Sequence, residues 1–256
     1  MNKRAMKYAS LLAILAVAAV LPLRAQVNDQ GKPEVYTYIA QWAVPRAQWP
    51  DMVKLDEQER PLMEKMVADG SILGYGTFTS LIHQEGEPTH GSWFTASSEG
   101  KLMKALEQIY ALGLTTTPVE GNSKHWDLIL HSDSYNGRSG HYEGAYLSGS
   151  QWQVKPGEGR AFNDLINSTL VPVLDKLVAD GSVVSYSVNT EDYHMQKPGV
   201  VSLVYTTADA AGLDKVDEAY KAAFSKDHSI GPAIARLTDG DEHRDFLLRV
   251  SHMMLK

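Results

Sequence analysis

The sequence predicts an α+β fold in which two βαββαβ units pack sheet to sheet as a barrel closed within one chain. Two observations carry this: a long internal duplication, and strand and helix periodicities that recur in the same order in both copies. The duplication is plainest where PLMEKMVADGSI, from Pro61, meets PVLDKLVADGSV, from Pro172, an offset of 172 − 61 = 111 residues. At that offset Tyr75 meets Tyr186, Thr79 meets Thr190, His83 meets His194 and Leu102 meets Leu213. Upstream, Gln41-Trp42-Ala43-Val44 answers Gln151-Trp152-Gln153-Val154 at 110, and downstream His125-Trp126-Asp127 answers His243-Arg244-Asp245 at 118. Solenoid repeats run roughly 20–50 residues, so each copy is a domain-sized unit. The division expected is a leader at 1–25, one unit at 26–134 and a second at 135–256.

Each element follows from local pattern. Val35–Trp42 and Gly144–Trp152 alternate as half-buried strands do. Met52 to Val67 places apolar residues at 52, 55, 62, 63, 66 and 67 between charges, an amphipathic helix. Pro61 and its equivalent Pro172 either kink that helix or start its last segment, with proline in the first turn. Gly70 and Gly181 follow Asp69 and Asp180 and supply the left-handed residue that ends a helix. Strands at Ile72–Thr79 and Val183–Thr190 come next, then Gly/Pro-rich turns, then strands at Gly91–Thr95 and Val200–Thr206. Ser98 and Asp209 are N-caps for second helices whose apolar faces run from Leu102 to Tyr110 and from Leu213 to Phe224. Trp126–His131 and Asp245–Ser251 close the units. Each unit is thus a ferredoxin-like split βαβ, whose sheet has helices on one face and leaves the other uncovered. A second copy is the natural cover.

In element order and duplication, residues 35–131 and 142–252 resemble the dimeric α/β-barrel superfamily, in which two ferredoxin-like units pack into a closed barrel. The resemblance implies a choice of chemistries: cofactor-free monooxygenases of the antibiotic-biosynthesis type, EthD-like and stress-response proteins, and haem-binding chlorite-dismutase-like enzymes. It brings no catalytic motif that matches residue by residue, and fold alone does not fix function. Some haem-binding relatives use a histidine on a helix of the second unit. Leu213–Phe224 contains none and His228 follows it, so no cofactor is expected.

Composition narrows the field further. The chain has 256 residues and no cysteine, which excludes disulfide scaffolds, thiolate zinc sites, cysteine nucleophiles and iron–sulfur clusters. Against 31 acids stand 24 Lys and Arg, a net charge of −7 that argues against nucleic acid. Residues 1–25 have the basic start (Lys3, Arg4, Lys7), apolar run and Pro22 break of a signal peptide, so secretion or a periplasmic location is expected. An uncleaved N-terminal anchor is the alternative. Removing the segment takes four basic residues and no acid, leaving 20 − 31 = −11. No other stretch is apolar enough to span a bilayer, so no membrane span is expected after cleavage.

Candidate site residues come from strand alternation. Tyr36, Tyr38, Ala40 and Trp42 share one face, matched by Tyr146, Ser148, Ser150 and Trp152. Asp127, Ile129 and His131 share another, matched by Asp245, Leu247 and Arg249. Polar groups on a face covered by a second sheet imply a lined cavity, with Asp127 and His131 as a base and Asp245 and Arg249 as an anion clamp. The competing reading is a solvated sheet edge with cross-strand ion pairs. Tyr36, Trp42, Tyr75, Tyr146, Trp152 and Tyr186, with the equivalent pair His83 and His194, are the ligand-binding candidates. No histidine spacing matches a metal signature. The function expected is binding of a small, partly aromatic organic molecule, with turnover like that of a cofactor-free monooxygenase left open. The alternative is a non-catalytic structural or interaction module, and homo-oligomer formation is left open.

Overall fold

The computed structural model describes residue 28 and residues 30–193 and 197–256; the expected signal segment and His194 lie outside them. Nine antiparallel strands and seven α-helices run in the order β1 (Tyr36–Ala43), α1 (Trp49–Asp69), β2 (Gly74–Ser80), β3 (His90–Ala96), α2 (Glu99–Tyr110), α3 (Pro118–Asn122), β4 (Lys124–Gly137), β5 (Gly140–Tyr142), β6 (Tyr146–Val154), α4 (Gly159–Thr169), α5 (Val171–Asp180), β7 (Ser185–Glu191), β8 (Val200–Thr207), α6 (Ala210–Lys226), α7 (Ile230–Leu237) and β9 (Thr238–Leu255), counted among the described residues. The sheet order β2-β3-β1-β4-β7-β8-β6-β9 closes through a β2–β9 pairing, which makes an eight-stranded barrel with β5 attached to β9. Among the described residues no helix is long and apolar enough to cross a membrane.

The two proline alternatives are each realised once. Pro61 sits inside a continuous α1, whereas the chain breaks at Leu170 and Pro172 enters the first turn of α5. Gly70 and Gly181 end their helices at φ 81° and 85°. Ser98 Oγ and Asp209 Oδ1 accept the backbone N–H of Lys101 and Gly212.

β4 and β9 extend well past the expected closing strands, and β4 runs on through position 134 to Gly137. The reason is long-range pairing. The last part of β4 pairs with β7 of the second unit, and the last part of β9 pairs with β2 of the first. Each passes through an irregularity at an equivalent place: Asp133 is skipped between Ser132 and Ser134, and Ser251 between Val250 and His252, 118 residues later. A bulge of this kind turns the following side chains to the opposite face. Ser134 and Asn136 therefore reach Asn167 and Asp175 in the second unit's helices.

At the β4–β7 seam His131 is held between Asp133 Oδ1 at 3.1 Å and Asp192 Oδ1 at 2.5 Å, and Thr190 donates to Asp133. The hydrogen bond to Asp133, and the two negative charges, push its pKa up to about 9. A raised folded-state pKa stabilises fully below the unfolded value of about 6.5 and is lost as pH climbs through 9. The imidazole is 35% exposed, so screening reduces the contribution to about 1 kcal/mol. Urea unfolding of wild type is expected to show that loss between pH 6 and pH 10, and His131→Gln to show none of it. Parallel pH profiles for the two proteins would refute the assignment.

Candidate functional site

The barrel interior is packed with side chains. Phe78, Leu147, Leu248, Val250 and Met253 form its buried cluster, with Trp93, Val204 and Phe246 against them. Glycines make room for the rings: a Cβ at Gly76 would lie 2.8 Å from Trp93 Nε1, and one at Gly149 2.7 Å from Phe246 Cζ. The face predicted to line a cavity between the sheets is therefore on the other side. Tyr38, Ala40, Trp42 and Tyr75 pack under the first unit's helices with Met52, Met63 and Leu102, and Trp152 and Tyr186 pack under the second's with Phe162 and Leu174. Alternation correctly groups the residues of a strand: the face of β1 with Tyr38, Ala40 and Trp42 turns toward the helices, and the face with Thr37, Ile39 and Gln41 turns the other way.

The predicted pairs four residues apart on a strand are replaced by pairs two residues apart, His125–Asp127 and His243–Asp245, each joined by a residue of the neighbouring strand. Residues four apart on a strand stand roughly 13 Å from one another, and Asp127 does not reach His131. Register places Trp42 opposite His125 and Ala40 opposite Asp127. Asp127 Oδ1 accepts the Tyr38 hydroxyl and lies 3.1 Å from His125 Nε2. The His125 ring stacks on Trp42 at 5.0 Å and 6°, and Trp42 Nε1 donates to Glu120 Oε2 at 2.8 Å. In the second unit the same trio recurs in looser form: Trp152 stacks on His243 at 5.5 Å and 27°, and His243 Nε2 is 3.4 Å from Asp245. There Ser150 donates to Asp245, while Arg249 lies over the Tyr146 ring at 4.3 Å.

The remaining candidates scatter. Tyr36 donates to Glu34, Tyr75 is buried beside Arg60 and Glu64, and Tyr186 donates to Asp175. His83 is exposed with its ring edge-on to Trp49 at 5.9 Å. His90, buried one strand from Trp42, is pushed down to about 4 by burial and by His83, and stays neutral.

The Tyr38–Asp127–His125 group sits at the rim of the first unit's helix–sheet core, with Tyr38 and Trp42 buried and His125 and Asp127 exposed. The hydrogen bond with Asp127 raises the His125 pKa. Burial pushes Asp127 upward, but the hydrogen bonds from His125 and Tyr38 outweigh it and leave the carboxyl below its usual range. Burial and the bond to Asp127 keep the Tyr38 phenol protonated, and burial raises Glu120. With Nε2 committed to Asp127, Nδ1 is the His125 nitrogen that can accept a proton, and the carboxylate stabilises the imidazolium that results. Glu120, His125 and Tyr38 are not among the predicted site residues. The signal that could have found His125 is its recurrence before the last strand of both units.

The helix of the second unit on which the resemblance implies a haem-ligating histidine is α6, which has none. Phe162, Leu174, Val216 and Leu237 fill the core between sheet and helices there. These residues do not fit a haem.

No family model and no curated protein matches the chain. Among solved structures it is similar to a candidate monooxygenase from Lactobacillus acidophilus NCFM, at 11% identity and a TM-score of 0.62 over 88% of this chain and 97% of that one. It is similar to a second candidate monooxygenase, from Fusobacterium nucleatum subsp. nucleatum, at 12% identity and TM-score 0.63 over 87% and 94% of the two chains. An anthrone oxidase-like protein superposes with TM-score 0.54 at 12% identity, covering 90% and 95%. The likeness is one of fold: this chain is an α+β barrel built from two ferredoxin-like units of one polypeptide, the architecture it shares with those structures.

Proposed function

We propose that the exposed rim of the first unit around Trp42, His125 and Asp127 binds a small, partly aromatic molecule with an acidic C–H or O–H, and that His125, paired with Asp127, removes that proton. The observation that carries this is the Trp–His–Asp arrangement present in both units and completed by Tyr38 and Glu120 only in the first. For a substrate of the anthrone kind the proton loss leaves an electron-rich carbanion that reduces O2 directly. One methylene C–H bond breaks, its proton goes to His125 and its electron pair stays on carbon. The carbanion then adds O2, and the proton returns from the imidazolium to the outer oxygen, giving a hydroperoxide. Loss of the second hydrogen from carbon, with cleavage of the O–O bond, releases water and leaves a ketone. One methylene and one O2 thus become one ketone and one water, and no cofactor enters the balance. Support comes from the fold shared with candidate monooxygenases and an anthrone oxidase-like protein. The buried Phe78, Leu147, Leu248, Val250 and Met253 cluster closes part of the barrel interior, which gives the barrel a structural role. Export through residues 1–25 belongs to the same proposal and places the activity in a secreted or periplasmic setting.

Anthrone is the probe. Oxygen uptake at one O2 per anthrone, with anthraquinone absorbance appearing in step and unchanged after EDTA treatment, is the expected result. No uptake above the uncatalysed rate, and no exchange of the methylene protons in deuterated water, would rule the reading out.

A further inference from the structure

The two units fill one equivalent place differently, and the second shows what kind of group belongs there. In it the side-chain carboxamide of Gln30 lies between Tyr186 and Tyr135: Nε2 donates to Tyr186 Oη at 3.2 Å, and Oε1 accepts the Tyr135 backbone N–H at 2.9 Å. Tyr186 in turn donates to Asp175 Oδ1 at 2.8 Å. At the offsets of 111 and 118, Tyr186, Asp175 and Tyr135 correspond to Tyr75, Glu64 and Met253 of the first unit. Gln30 corresponds at 110 to Gly140, which has no side chain to place between them.

Tyr75, Glu64 and Met253 line a cavity of about 30 Å³, with Arg60 and His252 beside them. One water needs about 10–15 Å³, so the space takes a group of roughly two or three non-hydrogen atoms. Tyr75 and Met253 are buried at its floor, and the exposed Glu64 and His141 mark its mouth between α1 and β5. Arg60 stands where the second unit has Val171, a core residue 5% exposed. Its guanidinium donates through Nη2 to His252 Nε2, and His252 Nδ1 donates to Glu143 Oε1 at 3.0 Å. An arginine can only donate, which fixes that imidazole tautomer. Arg60 Nε is enclosed and has no hydrogen-bond partner among the described residues, which disfavours the folded state unless a ligand accepts from it. The donor that Tyr135 offers in the second unit has no counterpart here, because Met253 lies in β9 between β2 and β5 and is paired with both. Arg60 is the donor that remains.

We propose that this cavity binds a primary carboxamide, supplied by a small molecule where the second unit uses its own Gln30. The carbonyl oxygen accepts from Arg60. The NH2 donates to Tyr75 Oη, as Gln30 donates to Tyr186, and its second N–H is left for Glu64 at the mouth. A carboxylate of the same shape would bring no proton to Glu64 and Tyr75, and an ammonium would meet the Arg60 charge. Among the described residues no three His, Asp or Glu side chains converge closely enough to ligate one metal ion. The site is separate from the His125 rim, since β2 lies three places from β4 in the sheet order, and it does not depend on proton transfer there.

The test is an NMR titration with acetamide, acetate and methylammonium, read at the histidine ring signals. Acetamide is expected to saturate with a Kd on the order of 1 mM, shifting the His141 and His252 signals and leaving those of His125 in place. Acetate and methylammonium are expected to bind at least tenfold more weakly. Arg60→Val installs the second unit's own residue and is expected to fold; it and Tyr75→Phe are each expected to weaken acetamide by about fivefold or more. A cavity that holds only water would give no saturable shift at His141 and His252. That result, equal binding of the three probes, or undiminished acetamide binding by either variant would overturn the proposal. Anthrone carries no carboxamide, so oxygen uptake and acetamide binding fail independently of one another.

Discussion

Gly149→Ala is expected to destabilise the protein by about 3 kcal/mol, a fall in Tm of about 6–12 °C. Gly149 lies on β6, between Val204 of β8 and Phe246 of β9, and is buried where those strands face the barrel interior. An added Cβ would stand 2.6 Å from the Leu203 carbonyl oxygen and 2.7 Å from Phe246 Cζ. The phenyl ring can move, although only into a lumen already occupied by Leu147, Leu248 and Val250. The carbonyl is fixed by strand geometry. Combining Gly149→Ala with Phe246→Leu is expected to recover part of the loss, because the ring is one of two obstacles. A single variant within 1 °C of wild type would show that the interior has slack, and the lumen would again be a candidate binding space.

The duplication makes the fold legible. The repeated strands and long helices of the two units are readable from local patterns, down to the Ser98 and Asp209 caps and the Gly70 and Gly181 stops. The continuation of β4 and β9 is not, because what makes 132–137 and 252–255 strands is a partner in the other unit, far away in sequence. The short helices α3 and α7 and the strand β5 carry too little periodicity to register. In the site, the sequence points to Asp127 and Trp42 but pairs Asp127 with His131, whereas its partner is His125. A shared strand face is not proximity: His125 stands two residues from Asp127 along β4 and His131 four, while the β1–β4 register sets His125 against Trp42.

Asp127→Asn is expected to lower kcat/KM for anthrone oxidation by about 10²–10³, with much the larger part of the change in kcat. The substitution keeps shape and an acceptor for Tyr38 but removes the charge that raises the His125 pKa and stabilises imidazolium. With the charge gone the acidic limb of the pH profile, where His125 takes up a proton, moves to lower pH, and a bystander carboxylate would not move it. Asp245→Asn is the matched control. Its partner His243 is 3.4 Å away, Asp245 is 70% exposed, and no tyrosine stands at Ser148, the place equivalent to Tyr38. Activity within about twofold of wild type is expected there, since exposed pairs contribute little. Equal losses from both variants would mean that the units work alike and that Tyr38 and Glu120 do not single out the first. No loss from either would leave His125 without its partner's help and remove the basis for proton transfer at this rim.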